Sequence, residues 1–160
     1  MSAGGLKKAH WILIGAFALA LTTALALKYL RTDRHRVRRV ARKVVGRLES
    51  LDAAGTCVLL AEDFRDPYGH QSRRDLRADL TIALRMLEEL SISIYDLEVA
   101  ELHEDTAVVE FYTLSLVKQR DRRRAWKHRT RVRLHLRKEE GEWRVAAAEY
   151  QLPDGVRRRL

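Results

Sequence analysis

The chain changes its hydrophobic period once, near Leu90, and that single change limits what it can fold into. Before it, apolar residues recur at every third or fourth position. Val37, Val40, Val44, Leu48 and Leu51, widened by Ala41 and Val45, predict a helix over 36–51, ended by Gly55. The short apolar run Thr56–Ala61 predicts a second helix with Thr56 as N-cap. Leu76, Leu80, Ala83, Leu84 and Leu87 predict a third, capped by Ser72 with Asp75 in its first turn. After Leu90 the period is two. "SISIYDLEVAEL" and "TAVVEFYTLSLVK" read as a hairpin joined through "HEDT", and "QRDRRR" is a second, charged turn. Trp126–Lys138 then sets Thr130, Val132, Leu134 and Leu136 on one face of a strand. Arg129, Arg131, Arg133, His135 and Arg137 take the other. "EEGE" turns the chain into "WRVAAAEYQL", which Pro153 and Gly155 close. Helices followed by a meander predict an α+β architecture: three helices packed on a curved four-stranded antiparallel sheet, with the arginine row facing outward.

Ahead of this domain runs "WILIGAFALALTTALALKYL", Trp11–Leu30, with Lys28 its only charge. A helix of that length reaches roughly 30 Å, the thickness of a bilayer's hydrocarbon core. Trp11 and Tyr29 sit where amphipathic rings prefer the headgroups. Ala16, Ala20 and Ala24 offer small residues at four-residue spacing for helix association. Ala24-Leu25-Ala26 matches a signal-peptide cleavage pattern, but nine Lys/Arg against one acid, Asp33, lie between Lys28 and Arg47. Such a block resists export, so the span reads as an uncleaved single-pass anchor with its domain on the cytoplasmic side. The expected organisation is a tail (1–10), the span (11–30), a basic linker (31–35), the α+β domain (36–152) and a basic C-terminal tail (153–160). Arg34, Arg36, Arg38, Arg39, Arg42 and Lys43 are the candidates for contact with anionic lipid headgroups.

The block also accounts for a pI near 10.1. Residues 48–160 hold 20 Lys/Arg and 21 Asp/Glu, which removes the charge argument for nucleic acid, and no finger or phosphate-loop motif replaces it. Within the domain the charge is divided. Glu49–Glu110 carries 15 acids and five arginines, whereas 111–160 carries 15 bases and six acids. Pairing of the two halves inside one fold is the simpler expectation, and self-association between unlike surfaces the other. The lone Cys57, beside Val58, Leu59 and Leu60, reads as buried filler; no metal cluster and no cofactor motif is present.

"AEDFRDPYG", residues 61–69, concentrates three carboxylates, two aromatics, a proline and a glycine. With "LLAEDFRDPYG" joining the second helix to the third, and "GEWRVAAAEY" ending the sheet, residues 36–152 resemble the nuclear transport factor 2-like superfamily. This is the cone-shaped α+β fold of ketosteroid isomerases, scytalone dehydratase and the SnoaL-like bacterial domains. The resemblance implies Asp66 as an alternative general base, since the isomerases carry theirs on an aspartate followed by proline. It also implies a pocket or rim built from Phe64, Tyr68, Tyr95, Tyr112 and Trp126. The isomerases' enolate donors have no counterpart here: 36–51 holds no tyrosine, and the strand that would carry a second acid is the arginine-rich one. His70, His103, His128 and His135 fall in turns or on the polar strand face, where solvated side chains are expected, and the paired histidines of scytalone dehydratase are missing.

The residues of 61–69 therefore read as architecture. Phe64 enters the core, Pro67 and Gly69 set the turn, and Asp63 and Asp66 accept backbone N–H groups. The expected function is a membrane-tethered, non-enzymatic binding or scaffold domain. Arg129, Arg131, Arg133 and Arg137 form its partner face, toward a second copy or a protein complex. The alternative is a small-molecule isomerase, dehydratase or carrier that uses the cone with Asp66 as base.

Overall fold

The computed structural model describes residues 19, 23, 32–69, 72–121 and 125–151. Contacts divide the chain into two units, Met1–Asp33 and Arg34–Leu160. In the first, Leu19 and Thr23 are helical, and the Thr23 hydroxyl donates to the Leu19 carbonyl at 2.7 Å. The remainder of the span expected over Trp11–Leu30 lies outside the described residues, as do 1–10, His70 and the tail 153–160. Among the described residues no helix is long and apolar enough to cross a membrane.

The second unit opens with residues 34–49 of helix α1 (32–49), whose Val37, Ala41, Val44 and Val45 are buried at the spacing the sequence predicts. Its last turn also serves the sheet: Glu49 Oε1 accepts the Ile92 N–H at 2.7 Å. The helix ends earlier than expected and without a glycine. Ser50 and Leu51 turn the chain, Leu51 with φ 55. Gly55 instead lies inside α2 (Ala53–Val58), so the second helix is framed three residues ahead of the expected Thr56–Ala61. Its cap is Asp52, not Thr56: Asp52 Oδ1 accepts the Gly55 N–H at 2.8 Å while Oδ2 meets Arg47 at 2.9 Å. A Cβ at Gly55 would stand 2.1 Å from Asp52 Oδ2, so the close cap depends on glycine. Helix α3 (Arg73–Arg85) starts as predicted, with the Asp75 N–H donating to Ser72 Oγ at 3.1 Å. It buries Leu84 and half-buries Leu76 and Leu80, but Ala83 is exposed and Leu87 belongs to the next strand.

The sheet has five strands where the sequence predicts four. The additional one is β1 (Leu60–Arg65), cut from the end of the expected second helix and the start of the expected turn. It is followed by β2 (Leu87–Leu102), β3 (Thr106–Gln119), β4 (Trp126–Glu139) and β5 (Glu142–Gln151), in the spatial order β1-β5-β4-β3-β2. Strands β2 to β5 form the antiparallel meander; β1 joins its edge parallel to β5, with Leu60 opposite Val145 and Arg65 opposite Ala147. The β4–β5 hairpin closes on Glu140 and Gly141, at φ 50 and 83, the two positive-φ residues a tight twisted hairpin needs. Irregularities at Tyr95/Glu98 in β2, where Asp96 has φ 52, and at Ala146 in β5, facing His135/Leu136, bend the sheet.

One face of the sheet meets the helices. Val99, Val109, Phe111, Val132, Leu134, Leu136, Trp143 and Val145 are buried there with Val37, Ala41, Cys57 and Phe64. Burial pushes the Cys57 thiol up, against the opposing charges of Arg77 and Arg73.

Candidate functional site

The turn after β1 is held by its own aspartate. Asp66 Oδ1 accepts the Tyr68 N–H at 3.0 Å, and its carbonyl accepts the Gly69 N–H at 3.3 Å. Gly69 takes φ 96, a conformation side chains rarely adopt. Asp63 does not share this role. It lies on β1, where its Oδ1 and Oδ2 receive Arg137 Nη2 and Nη1 at 2.8 and 3.3 Å. The Arg137 hydrogen bond holds its carboxyl below the usual range.

Tyr68 projects from this turn with its ring 5.9 Å from that of Tyr150. Tyr150 keeps part of its ring in solvent, yet its phenol is pushed up to about 12, by burial first and then by the charges of Asp66 and Tyr68. The Asp66 turn and the end of β5 thus meet through the Tyr68 and Tyr150 rings. The sequence hides Tyr150 because the His135/Leu136 irregularity shifts the β4–β5 register: Leu136 faces Val145, but Val132 faces Tyr150. Without that shift Tyr150 would point away from the core face.

The other expected pocket residues do not converge on this point. Phe64 is 2% exposed, part of the core rather than a rim. Tyr95 and Tyr112 are cross-strand partners on the opposite, outer face, where Tyr112 lies opposite Arg131. Trp126, opposite Val117, is half-buried on the Val132 face at the start of β4. Phe111 and Trp143, at 2% and 5% exposure, fill the concave face. Three clefts on this unit have described linings, and neither Asp66 nor Tyr150 belongs to any of them. The largest of these, about 630 Å³, lies over Glu140 and over Glu62, Asp63, Arg73, Arg137, Glu139 and Arg144, the last six of which are already paired with one another.

The outer face carries the arginine row and its acids. Glu110 receives Arg131 at 2.6 Å and Arg133 at 3.0 Å, and Arg133 also reaches Glu101 at 3.8 Å. His135 meets Glu149 at 2.8 Å, and Arg137 bridges Asp63 and Glu139. Arg131 holds the Glu110 carboxyl below its usual range. Acids of the first half thus neutralise bases of the second within one fold, as Lys118 and Glu88 also do at 2.7 Å. Arg129 has a ring instead: its guanidinium lies 5.5 Å from the Tyr112 centroid, with Arg131 at 5.9 Å. Exposed Tyr95 and Leu114 lie beside this stack, so the face offers an aromatic patch inside a charged frame. On α1, Arg34, Arg36, Arg39, Arg42 and Lys43 are exposed and Arg38 is half-buried. His103 and His128 are exposed. Among the described residues no cluster of metal-ligating side chains forms.

No family model and no curated protein matches the chain. Solved structures do. A Novosphingobium aromaticivorans protein provisionally named a scytalone dehydratase is similar with a TM-score of 0.73 at 14% identity, over 79% of this chain and 87% of that one. A nuclear transport factor 2-like superfamily protein from Salmonella enterica serovar Typhimurium gives 0.70 at 14%, over 79% and 95%. A second N. aromaticivorans protein, nuclear transport factor 2-like with a cystatin-like fold, gives 0.68 at 19%, over 84% and 91%. At these identities the likeness concerns the fold, and in fold the Arg34–Leu160 unit is a nuclear transport factor 2-like α+β cone with a curved sheet.

Proposed function

We propose that the chain is a non-enzymatic binding or scaffold domain, held at the cytoplasmic side of a membrane by a single span over 11–30. It receives a second copy or a protein partner on the outer face of its sheet. The observation that supports the non-enzymatic part is the burial of the concave face: Phe64, Phe111, Leu136 and Trp143 pack into one hydrophobic cluster. Asp66, the residue the isomerase resemblance offers as base, spends an oxygen on its own turn. The tether rests on the apolar run and the basic block alone. Full-length protein is expected to stay with the membrane fraction through high-salt and alkaline washes. Recovery of a soluble product starting near Leu27 would show cleavage after Ala26 and remove the tether.

The Tyr68–Tyr150 ring pair at the Asp66 turn supports the second reading, an enzyme or carrier with Asp66 as base. The two readings separate at Asp66. In the first, Asp66→Ala loses the Tyr68 N–H acceptor and costs about 1 kcal/mol, while Asp66→Asn keeps an acceptor and leaves the denaturation midpoint near wild type. Turnover of any small molecule that disappears in Asp66→Asn at unchanged stability would instead establish a catalytic carboxylate.

A further inference from the structure

A cleft of about 420 Å³ lies away from the concave face, lined by Leu51, Asp52, Arg77, Thr81, Arg85 and Arg120 among others. Arg77, Thr81 and Arg85 follow one another at four-residue spacing on α3, so they stack along one helical face over about 12 Å. Arg120 approaches from the end of β3 and is fixed there. Its backbone N–H donates to the Met86 carbonyl at 3.0 Å and its Nε to the Leu87 carbonyl at 3.1 Å, which leaves its terminal nitrogens for the cleft. Asp52 is the one carboxylate in the lining, and both of its oxygens are engaged, by the Gly55 N–H and by Arg47.

Arg47, Arg73, Arg131, Arg133, Arg137 and Arg144 each stand within 4 Å of an acid. Arg77, Arg85 and Arg120 have none among the described residues, as is true of Arg65, Arg74 and Arg129, but the first three line one cleft together. The C-terminal end of α3 favours a cation at Arg85, but that does not account for Arg77 or Arg120. Three guanidiniums around one concavity raise its potential and so concentrate anions there. A guanidinium fork matches carboxylate and phosphate alike, but three forks around one cleft suit the larger number of acceptor oxygens of a phosphate. Thr81 adds a hydroxyl midway, although it now donates to the Arg77 carbonyl at 2.7 Å.

We propose that this cleft is a binding site for a phosphate ester or diphosphate, with Arg77, Arg85 and Arg120 as its ligands. The inference stands apart from the binding role of the outer face and shares no residue with it. The same chemistry is presented by a soluble phosphorylated compound and by an anionic lipid headgroup, and the test separates the two. Full-length protein in phosphatidylcholine nanodiscs is titrated calorimetrically with pyrophosphate, beside Arg77→Gln/Arg85→Gln and a control, Arg74→Gln, on α3 outside the cleft. The expected result is saturable binding, weakened at least ~10-fold in the double variant and unchanged in the control. The titration is repeated in nanodiscs containing phosphatidylglycerol. An apparent affinity reduced at least ~10-fold there identifies lipid phosphate as the occupant, and an unchanged affinity identifies a soluble one. Absence of saturable binding in phosphatidylcholine nanodiscs, or equal binding by the double variant, overturns the site.

Discussion

Phe64→Ala is expected to destabilise the protein by about 3–5 kcal/mol, read as a lower denaturation midpoint. Phe64 is 2% exposed on β1 and packs into the same cluster as Val37, Cys57, Phe111 and Trp143. Removing a buried ring forfeits its transfer free energy and leaves a cavity that neighbours on a five-stranded sheet and a helix fill only in part. A ring lining a ligand cavity behaves otherwise: it is partly hydrated in the empty protein, and alanine there costs about 1 kcal/mol or less. Chemical denaturation of wild type and variant therefore reads out whether the concave face is core or pocket. A cost below about 1 kcal/mol would mean that the cone is hollow, and the enzyme reading would gain what the scaffold reading lost.

How far the sequence announced this structure depended on how local each signal was. Strand β4 was legible because nine consecutive residues, Arg129–Arg137, alternate, and its buried Val132, Leu134 and Leu136 lie where the alternation puts them. The α3 cap was legible because Ser72 and Asp75 act within one turn. Strand β1 was not. It is six residues long, its burial follows no alternation, and its one neighbour, β5, arrives eighty residues later in parallel. Nothing local distinguishes such a segment from the end of a helix. The frame of α2 turned on whether Asp52 or Thr56 caps it, and both are good caps; the close approach of Gly55 to Asp52 decided it. At the candidate site, the Asp66 turn followed from "DPYG". Tyr112 could have been placed outward, since buried Phe111 and Thr113 flank it. Tyr150 required the β4–β5 register, which only the folded sheet supplies.

The outer face yields the second large effect. Its arginines are expected to set which surface pairs with which, and its aromatic patch to supply the affinity. Glu101, Glu110 and Glu149 already balance much of the row, so little net charge remains to drive association. Exposed Tyr95 and Leu114, with Tyr112 under Arg129, resemble the aromatic and arginine anchors that carry most of an interface's energy. Sedimentation velocity of the full chain in detergent is expected to show a dimer. Tyr95→Ser/Leu114→Ser is expected to weaken it at least ~10-fold, a loss of about 1.4 kcal/mol or more. Arg131→Ser/Arg133→Ser acts differently. It unpairs Glu110, whose lowered carboxyl contributes stability that is present above its unfolded pKa and lost as pH falls through the folded one. In that variant part of the acid-side loss of stability should vanish. A single Leu114→Cys gives the face-specific check, because Cys57 is 3% exposed and does not compete for a crosslinker. Bismaleimide should join two copies through residue 114. If the Tyr95/Leu114 variant sediments as the wild type does, and residue 114 captures no second chain, the outer face is solvated surface and the partner must be sought elsewhere.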